Sequence, residues 1–334
     1  MKLSVLDQSA AVAGRSEADS IRDTLSLAAY CEALGYHRFW LSEHHNIPAI
    51  VGSAPEILMA AIAATTTRIR IGSAGVMLPH YSALKVAEQF RVLEALAPGR
   101  IDLGLGRAPG GDMRTAQALN PNARGAAEDF PQQVLDLQAW VCAREGEAYQ
   151  GIHAHPHGPT SPEMWILGSS DYGAQLAAHL GLPYAFAYFF TDGQGAEQAM
   201  DLYQRLYKPS ARFPKPQATL CVWALVADTE EEAQHHALSR DRWRVDRNRG
   251  VYGPLRAPDE VAAQGFQPAD VPILRSMREL AFVGSAAQVG TKLRALAADY
   301  RLDELVINTW AFDPAVRRRS YALLAQEFGL SHGA

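Results

Sequence analysis

Three polar residues that follow a short strand-like segment could take part in proton transfer. Residues 37–42, HRFWLS, have the composition of a buried strand, and Glu43, His44 and His45 come directly after it. Histidine titrates close to neutral pH, so a histidine at such a position is a candidate general acid or base. Successive side chains of an extended strand point to opposite faces, so His44 and His45 cannot both face one site. The alternative is a structural histidine held by hydrogen bonds.

A second group of residues could bind an anion attached to a flat ring. Arg107 lies in the glycine-rich segment GLGRAPGGD, where the backbone can approach a ligand and the guanidinium can form paired hydrogen bonds. Ser169 and Ser170 precede a predicted helix, whose first N–H groups attract anions. Capping of that helix by Ser170 or Asp171 is the structural alternative. The segment SAGVM, beginning at Ser73, has small side chains, so either a flat ring or a closely packed helix could lie against it.

These residues must be positioned by a regular alternation of strands and helices. The predicted strands are 2–7, 37–42, 68–76, 100–105, 163–168, 184–190, 218–227 and 304–309. The predicted helices are 19–34, 55–66, 82–96, 124–143, 171–180, 195–207, 229–238, 286–299 and 313–328. Eight such units predict a (β/α)8 TIM-type barrel, with a doubly wound open sheet as the alternative. In a barrel, the candidate residues would meet at the C-terminal ends of the strands.

Two segments are too long to be simple connections. Residues 145–162 are rich in Gly, Pro and His, and residues 239–280 contain SRDRWRVDRNRGVYG. We therefore expect a single domain over residues 1–334, with insertions after the fourth and seventh strands. An insertion after a barrel strand lies over the catalytic face. The second segment is either a lid whose arginine and aromatic side chains can meet an anion, or a helical excursion on the surface.

Composition and charge narrow the class of protein. The chain has 334 residues, 48% of them hydrophobic, and a formal net charge of -5, which gives no reason to expect nucleic acid as a partner. No apolar run predicts a membrane span or a signal peptide, so we expect a cytoplasmic protein. Cys31, Cys142 and Cys221 are far apart and are predicted to be buried free thiols. The HAHPH tract at 153–157 lies in an irregular loop, and no metal site is expected.

Several segments resemble the bacterial luciferase-like flavin monooxygenases, in particular the alkanal-monooxygenase-like branch of unassigned substrate. These segments are FWLSEHHN, RIRIGSAGVMLPHYSALKVAEQFRVLEALAPGRIDLGLGRAPGGD, ILGSSDYGAQLAAHLGLPYAFA and DELVINTW. The resemblance covers nearly the whole chain and implies a (β/α)8 barrel that binds FMN. A separate flavin reductase would supply the reduced form, which reacts with dioxygen to a flavin hydroperoxide that oxidises a small organic substrate.

The resemblance also implies roles for the candidate residues. His44 matches the catalytic histidine of the family, and Glu43 or a neighbour would set its tautomer. The residues implied to bind the cofactor are Arg107, Ser169, Ser170 and the backbone of Asp171, Tyr172 and Gly173 at the phosphate, and Ser73, Ala74 and Gly75 behind the ring. A non-proline cis peptide is expected at Ala74–Gly75. An apolar wall around the ring would come from Phe186, Phe189, Phe190 and Trp310; the alternative is that these side chains fill the barrel.

Three alternative functions, and association into a dimer, are also compatible with these residues. A deazaflavin-dependent hydride-transfer oxidoreductase, a non-catalytic flavin-binding protein and a metal hydrolase would each fit a barrel of this kind. The helices predicted at 55–66 and 82–96 are rich in small residues. Family members usually form dimers through this region, so the resemblance implies a homodimer; ordinary core packing is the alternative explanation of the small residues.

Overall fold

The structure is a computed structural model that describes residues 1–279 and 281–331. Its strands are β1 Lys2–Asp7, β2 Arg38–Leu41, β3 Arg70–Met77, β4 Ile101–Gly106, β5 Glu163–Gly168, β6 Tyr184–Phe186, β7 Ala218–Ala227, β8 Phe282–Ser285 and β9 Glu304–Asn308. Eight of them form a parallel ring in the order β6-β5-β4-β3-β2-β1-β9-β7, which a β6–β7 pairing closes. The prediction of a TIM-type barrel is confirmed.

The helices surround this ring. They are α1 Glu17–Leu34, α2 Pro55–Thr65, α3 Ala83–Leu96, α4 Met113–Leu119, α5 Ala123–Ala126, α6 Phe130–Cys142, α7 Asp171–Leu180, α8 Tyr188–Thr191, α9 Ala196–Leu206, α10 Glu230–Asn248, α11 Pro258–Gln264, α12 Val271–Glu279, α13 Ala286–Asp299 and α14 Pro314–Glu327. The ends of two helices show why each helix stops where it does. Gly35 after α1 has φ 87° and Gly181 after α7 has φ 63°, a left-handed conformation that glycine adopts without steric cost.

Several sequence predictions differ from the structure. The helix predicted at 124–143 is interrupted, since α5 ends at Ala126 and α6 begins at Phe130. The sixth strand ends at Phe186 rather than at residue 190, because the chain turns into the short helix α8. The helix predicted at 229–238 continues to Asn248, so the first residues of the predicted insertion are helical. The strand β8 was not predicted; it lies outside the ring and pairs with the end of β7. Cys142 is exposed rather than buried.

The N-terminal end of the barrel is sealed by an ion network. Arg38 donates to Asp102 at 2.9 Å, to Glu163 at 2.9 Å and to Glu304 at 3.0 Å. Asp102 is fully buried and also pairs with Arg70. Buried charges are tolerated when each has partners of opposite sign, as here. This closed end leaves the C-terminal ends of the strands as the open side of the barrel.

The described residues contain no helix that is long and apolar enough to cross a membrane.

Candidate active site

One large cavity opens at the C-terminal ends of the strands. Its volume is about 1050 Å³, and segments that follow β2, β3, β4, β5, β6, β7 and β9 contribute to its wall. The predicted site residues that line it are His44, Ala74, Gly75, Arg107, Ser169, Ser170, Tyr172 and Gly173. The barrel therefore brings together residues that are far apart in the sequence.

Two of the predicted cofactor-binding residues do not line the cavity. Ser73 is fully buried, and its hydroxyl donates to the Gly104 carbonyl at 2.9 Å and accepts from the Gly104 N–H at 3.1 Å. Asp171 accepts a hydrogen bond from Gln198 at 2.5 Å. The side chain of Ser73 thus links β3 to β4, and that of Asp171 links α7 to α9.

A flat strip of backbone lies within the cavity wall at Ala74 and Gly75, where the Ala74 methyl group is the one side chain. The peptide between them is cis, which confirms the expectation from the resemblance. A Cβ atom on Gly75 would lie 2.7 Å from the Gly104 carbonyl oxygen, closer than non-bonded atoms approach. Glycine is therefore required here by the close contact between β3 and β4, and the strip offers only backbone and one methyl group to a ligand.

The residues predicted to bind an anion lie together at one end of the cavity. The Arg107 guanidinium lies 3.9 Å over the Tyr172 ring and forms no ion pair with a described carboxylate. Ser170 is the N-cap residue of α7, with φ -152° and ψ 169°, yet its side chain makes no capping hydrogen bond. Capping by the Ser170 hydroxyl, the structural alternative, is therefore not observed. The first N–H groups of α7 remain available to an anion.

His44 lines the cavity in its neutral form. Its Nδ1 lies 3.1 Å from the Ser42 hydroxyl, and its Nε2 makes no hydrogen bond with a described residue. Burial lowers the pKa of His44 to about 4, because the charged imidazolium is poorly solvated there. With Nδ1 next to Ser42, Nε2 is the nitrogen that can exchange a proton with a ligand.

The Glu43 carboxylate holds the other histidine. Glu43 Oε1 accepts from the Tyr81 hydroxyl at 2.8 Å and lies 2.8 Å from His45 Nε2. Glu43 Oε2 accepts from the Met77 N–H at 3.1 Å. Of the two possible partners expected for His44, Glu43 is therefore excluded and the neighbour Ser42 is found. Glu43 instead fixes the turn after β2 against the end of β3.

Aromatic side chains form much of the remaining wall. The four predicted aromatic residues, Phe186, Phe189, Phe190 and Trp310, all line the cavity. The rings of Phe189 and Phe190 are 4.7 Å apart. Trp310 donates from Nε1 to the Gln8 side-chain oxygen at 3.1 Å, which ties the end of β9 to the end of β1. Trp310 is thus held by a contact between two strand ends, whereas Phe189 and Phe190 are carried by α8.

Helix α10 contributes cavity residues that were not individually identified from the sequence. They are Arg240, Trp243, Arg244 and Arg247. Their spacing of i, i+3, i+4 and i+7 is the spacing of one helix face, and that was the available signal. Residues 239–280 were expected to form either a lid or a helical excursion. The part up to Asn248 is helical, and its arginine and tryptophan side chains line the cavity.

Comparison with known proteins agrees with this geometry. The sequence profile of the luciferase-like monooxygenases matches residues 1–302. The chain belongs to this family. It is therefore a flavin-dependent oxidoreductase by its relatives and its fold. Two curated relatives are similar over almost their whole length.

The first is a luciferase-like monooxygenase of Escherichia coli K12, 40% identical over 323 residues, 96% of this chain and 95% of the relative. The second is the N-acetyl-S-alkylcysteine monooxygenase of Bacillus subtilis, 35% identical over 333 residues, 97% of each chain. Among solved structures, apo-MsnO8 matches with a TM-score of 0.91 and 36% identity over 99% of both chains.

Two more distant structures share the fold. The oxygenating constituent of 3,6-diketocamphane monooxygenase from Pseudomonas putida, in complex with FMN, has a TM-score of 0.73 and 19% identity over 98% of this chain and 97% of its own. An F420-dependent secondary alcohol dehydrogenase has a TM-score of 0.64 and 13% identity over 98% of both chains. The fold alone therefore accommodates both cofactors.

Proposed function

We propose that the chain is a cytoplasmic FMN-dependent monooxygenase that uses reduced flavin and dioxygen on a small organic substrate. The single observation that carries the proposal is the composition of the cavity. One end offers Arg107 and the start of α7, and the wall beside it offers the flat strip at Ala74 and Gly75. A phosphate attached to a flat ring matches both features.

FMN would be held by residues whose polar groups are not already used within the protein. Arg107 and the hydroxyls of Ser169 and Ser170, with the N–H groups of Tyr172 and Gly173, would bind the phosphate. The tricyclic ring would lie against Ala74 and Gly75. The fit rests on the uncapped start of α7 and on the nearly side-chain-free strip at Ala74 and Gly75 that lines the cavity.

The bound flavin supplies the electrons that activate dioxygen for insertion of one oxygen atom into the substrate. The protein's part is to bind, orient and exclude water. The aromatic wall of Phe186, Phe189, Phe190 and Trp310 limits the access of water to the cavity. His44, neutral at pH 7, would accept or return a proton at Nε2.

A binding experiment tests the cofactor. We expect FMN, oxidised or reduced under anaerobic conditions, to bind the purified protein with measurable heat in titration calorimetry, and the deazaflavin F420 to bind more weakly. Tighter binding of F420 than of FMN would favour the hydride-transfer alternative. Absence of heat with FMN in both oxidation states would contradict the proposal.

A turnover experiment tests the reaction. An exogenous flavin reductase supplies reduced FMN, and oxygen uptake and product mass are followed with a substrate panel. N-acetyl-S-alkylcysteines are the first compounds to test, because one relative is named for them. We expect a product that is heavier by one oxygen atom, and a lower rate for His44→Ala but not for the control His153→Ala in the exposed loop. Equal rates for both variants would show that His44 has no role in turnover. Absence of product with every compound of the panel would favour a non-catalytic flavin-binding protein.

We also propose that two copies of the chain associate through α2 and α3. Three large apolar side chains are exposed there: Ile57 at 67%, Val92 at 48% and Leu96 at 59%. Exposed apolar groups on neighbouring helices are typical of an interface between subunits. Sedimentation should give the mass of two chains for the wild type and of one for Ile57→Glu, whereas Leu135→Glu on α6 should remain dimeric. A monomeric wild type would contradict the proposal.

A further inference from the structure

A second positively charged surface lies at the part of the cavity formed by β7, β9 and α10. Arg240 is only 8% exposed and lines the cavity. Its guanidinium lies 3.9 Å over the Trp223 ring. No hydrogen bond or ion pair links it to any residue within 1–279 or 281–331. A buried guanidinium without a carboxylate partner is unusual, since desolvation of an unpaired charge is unfavourable.

The neighbouring carboxylates already have partners of their own. Asp192 accepts two hydrogen bonds from Arg244, at 2.7 and 2.6 Å. Asp241 lies 2.9 Å from an Arg278 nitrogen. Both carboxylates attract Arg240, but neither forms a direct ion pair with it. Burial, and then the repulsion from Arg244, lowers the pKa of Arg240 to about 9, and attraction to Asp192 and Asp241 offsets this only in part.

The surroundings of Arg240 are otherwise aromatic. Trp243 lies edge-on to Trp310 with ring centroids 4.7 Å apart, and Arg247 lies 5.3 Å from the Trp243 ring. Arg247 likewise forms no ion pair with a described carboxylate. A guanidinium that lies over a ring keeps its N–H groups pointing outward in its own plane, where they match the two oxygens of a carboxylate.

We propose that the substrate of this enzyme carries a carboxylate, that Arg240 binds this carboxylate, and that the apolar part of the substrate lies against Trp223, Trp243 and Trp310. This inference rests on the proposed function and names the substrate class for the same cavity. Arg107 and Ser169 follow β4 and β5, whereas Trp223 lies in β7 and Trp310 follows β9. The two cationic groups are therefore on different parts of the barrel rim, one for the flavin phosphate and one for the substrate.

The test uses matched pairs of acids and primary amides as probes: N-acetyl-S-benzylcysteine, 3-phenylpropanoate and octanoate, each with its amide. Their dissociation constants are measured by calorimetry with the full chain, with and without saturating FMN. At least one acid should bind, and its amide should bind about 10- to 100-fold more weakly, because it lacks the charge-assisted hydrogen bonds. The same loss is expected for the acid in Arg240→Gln, with part of the affinity restored in Arg240→Lys.

The controls separate this inference from the flavin assignment. Arg275→Gln removes the same charge from an exposed position and should bind the acid like the wild type. Arg240→Gln should leave FMN affinity unchanged; Arg240→Met is the second variant if the first does not fold. The inference is overturned if no acid binds more tightly than its amide, or if Arg240→Gln binds the acid as tightly as the wild type does. It is also overturned if Arg240→Gln loses affinity for FMN but not for riboflavin. Failure of FMN binding with intact acid binding would instead refute the cofactor assignment alone.

Discussion

Substitution of Arg107 tests the phosphate-binding end of the cavity. In Arg107→Ala the guanidinium that lies 3.9 Å over Tyr172 is lost, while the ring and the start of α7 remain. We expect FMN to bind more weakly to this variant. Riboflavin, which has the same ring but no phosphate, should bind to the variant and to the wild type with similar affinity.

The magnitude follows from the exposure of the residue. A hydrogen bond to a charged group contributes about 1.5–3 kcal/mol. Arg107 is exposed, so solvent screens its charge and the lower end of this range applies. A loss of about 1.5 kcal/mol is about a tenfold increase in the dissociation constant of FMN. For riboflavin we expect a change of less than about twofold, since the lost guanidinium has no phosphate to bind.

The assay is titration of FMN and of riboflavin into four proteins: the wild type, Arg107→Ala, Tyr172→Ala and the control Arg114→Ala. Arg114 is exposed and does not line the cavity, so its loss should leave both affinities unchanged. Tyr172→Ala should weaken FMN less than Arg107→Ala does, because it removes only the ring that orients the guanidinium. Equal losses of FMN and riboflavin in Arg107→Ala would show that Arg107 does not bind the phosphate and would refute the reasoning.

Three further predictions concern the rest of the site. The pKa of His44 is about 4 in the folded chain and near 6.5 when the side chain is exposed, so the free energy of unfolding should fall as the pH falls below 6.5, by about 2 kcal/mol at pH 5. In urea unfolding, His44→Gln should therefore show a weaker dependence of stability on pH. An unchanged pH dependence would contradict the burial argument. Gly75→Ala should lower the free energy of unfolding by about 1–3 kcal/mol and weaken FMN binding, whereas Gly158→Ala, with open space around it, should do neither. Asp102→Asn should lower the free energy of unfolding, measured in urea, by about 3–5 kcal/mol, because Arg38 and Arg70 lose a buried partner. A stability equal to that of the wild type would show that Glu163 and Glu304 are enough to compensate the arginine charges.

The barrel could be predicted because its strands are apolar and because glycine or proline residues end the helices that precede several of them. The predicted fifth and seventh strands, 163–168 and 218–227, have the observed bounds. The sixth was predicted too long because YAFAYFF is aromatic throughout, and aromatic residues favour strands. In the structure Phe189 and Phe190 belong to α8, where they face the cavity instead of continuing the sheet.

The length of α10 could not be predicted from apolar periodicity. Its second half faces the cavity with arginine side chains, so the apolar stripe that marks a buried helix face is interrupted there. The partner of His44 was predicted only as Glu43 or a neighbour. Sequence proximity favours Glu43, yet alternation along the strand turns Glu43 away toward Tyr81 and leaves Ser42 on the side of His44.

The position of β8 has a consequence for how this enzyme could diversify. β7 extends past the ring, and its last residues, Ala224–Ala227, pair with Phe282–Ser285, so α10 is carried on a rigid extension of the barrel wall. Under the proposed function, mutations in the segment between these two strands would alter which substrates are accepted without disturbing the opposite rim, where we propose that the flavin phosphate binds. A duplicated gene in which the segment between β7 and β8 is exchanged would thus keep the proposed flavin site and could gain a new substrate.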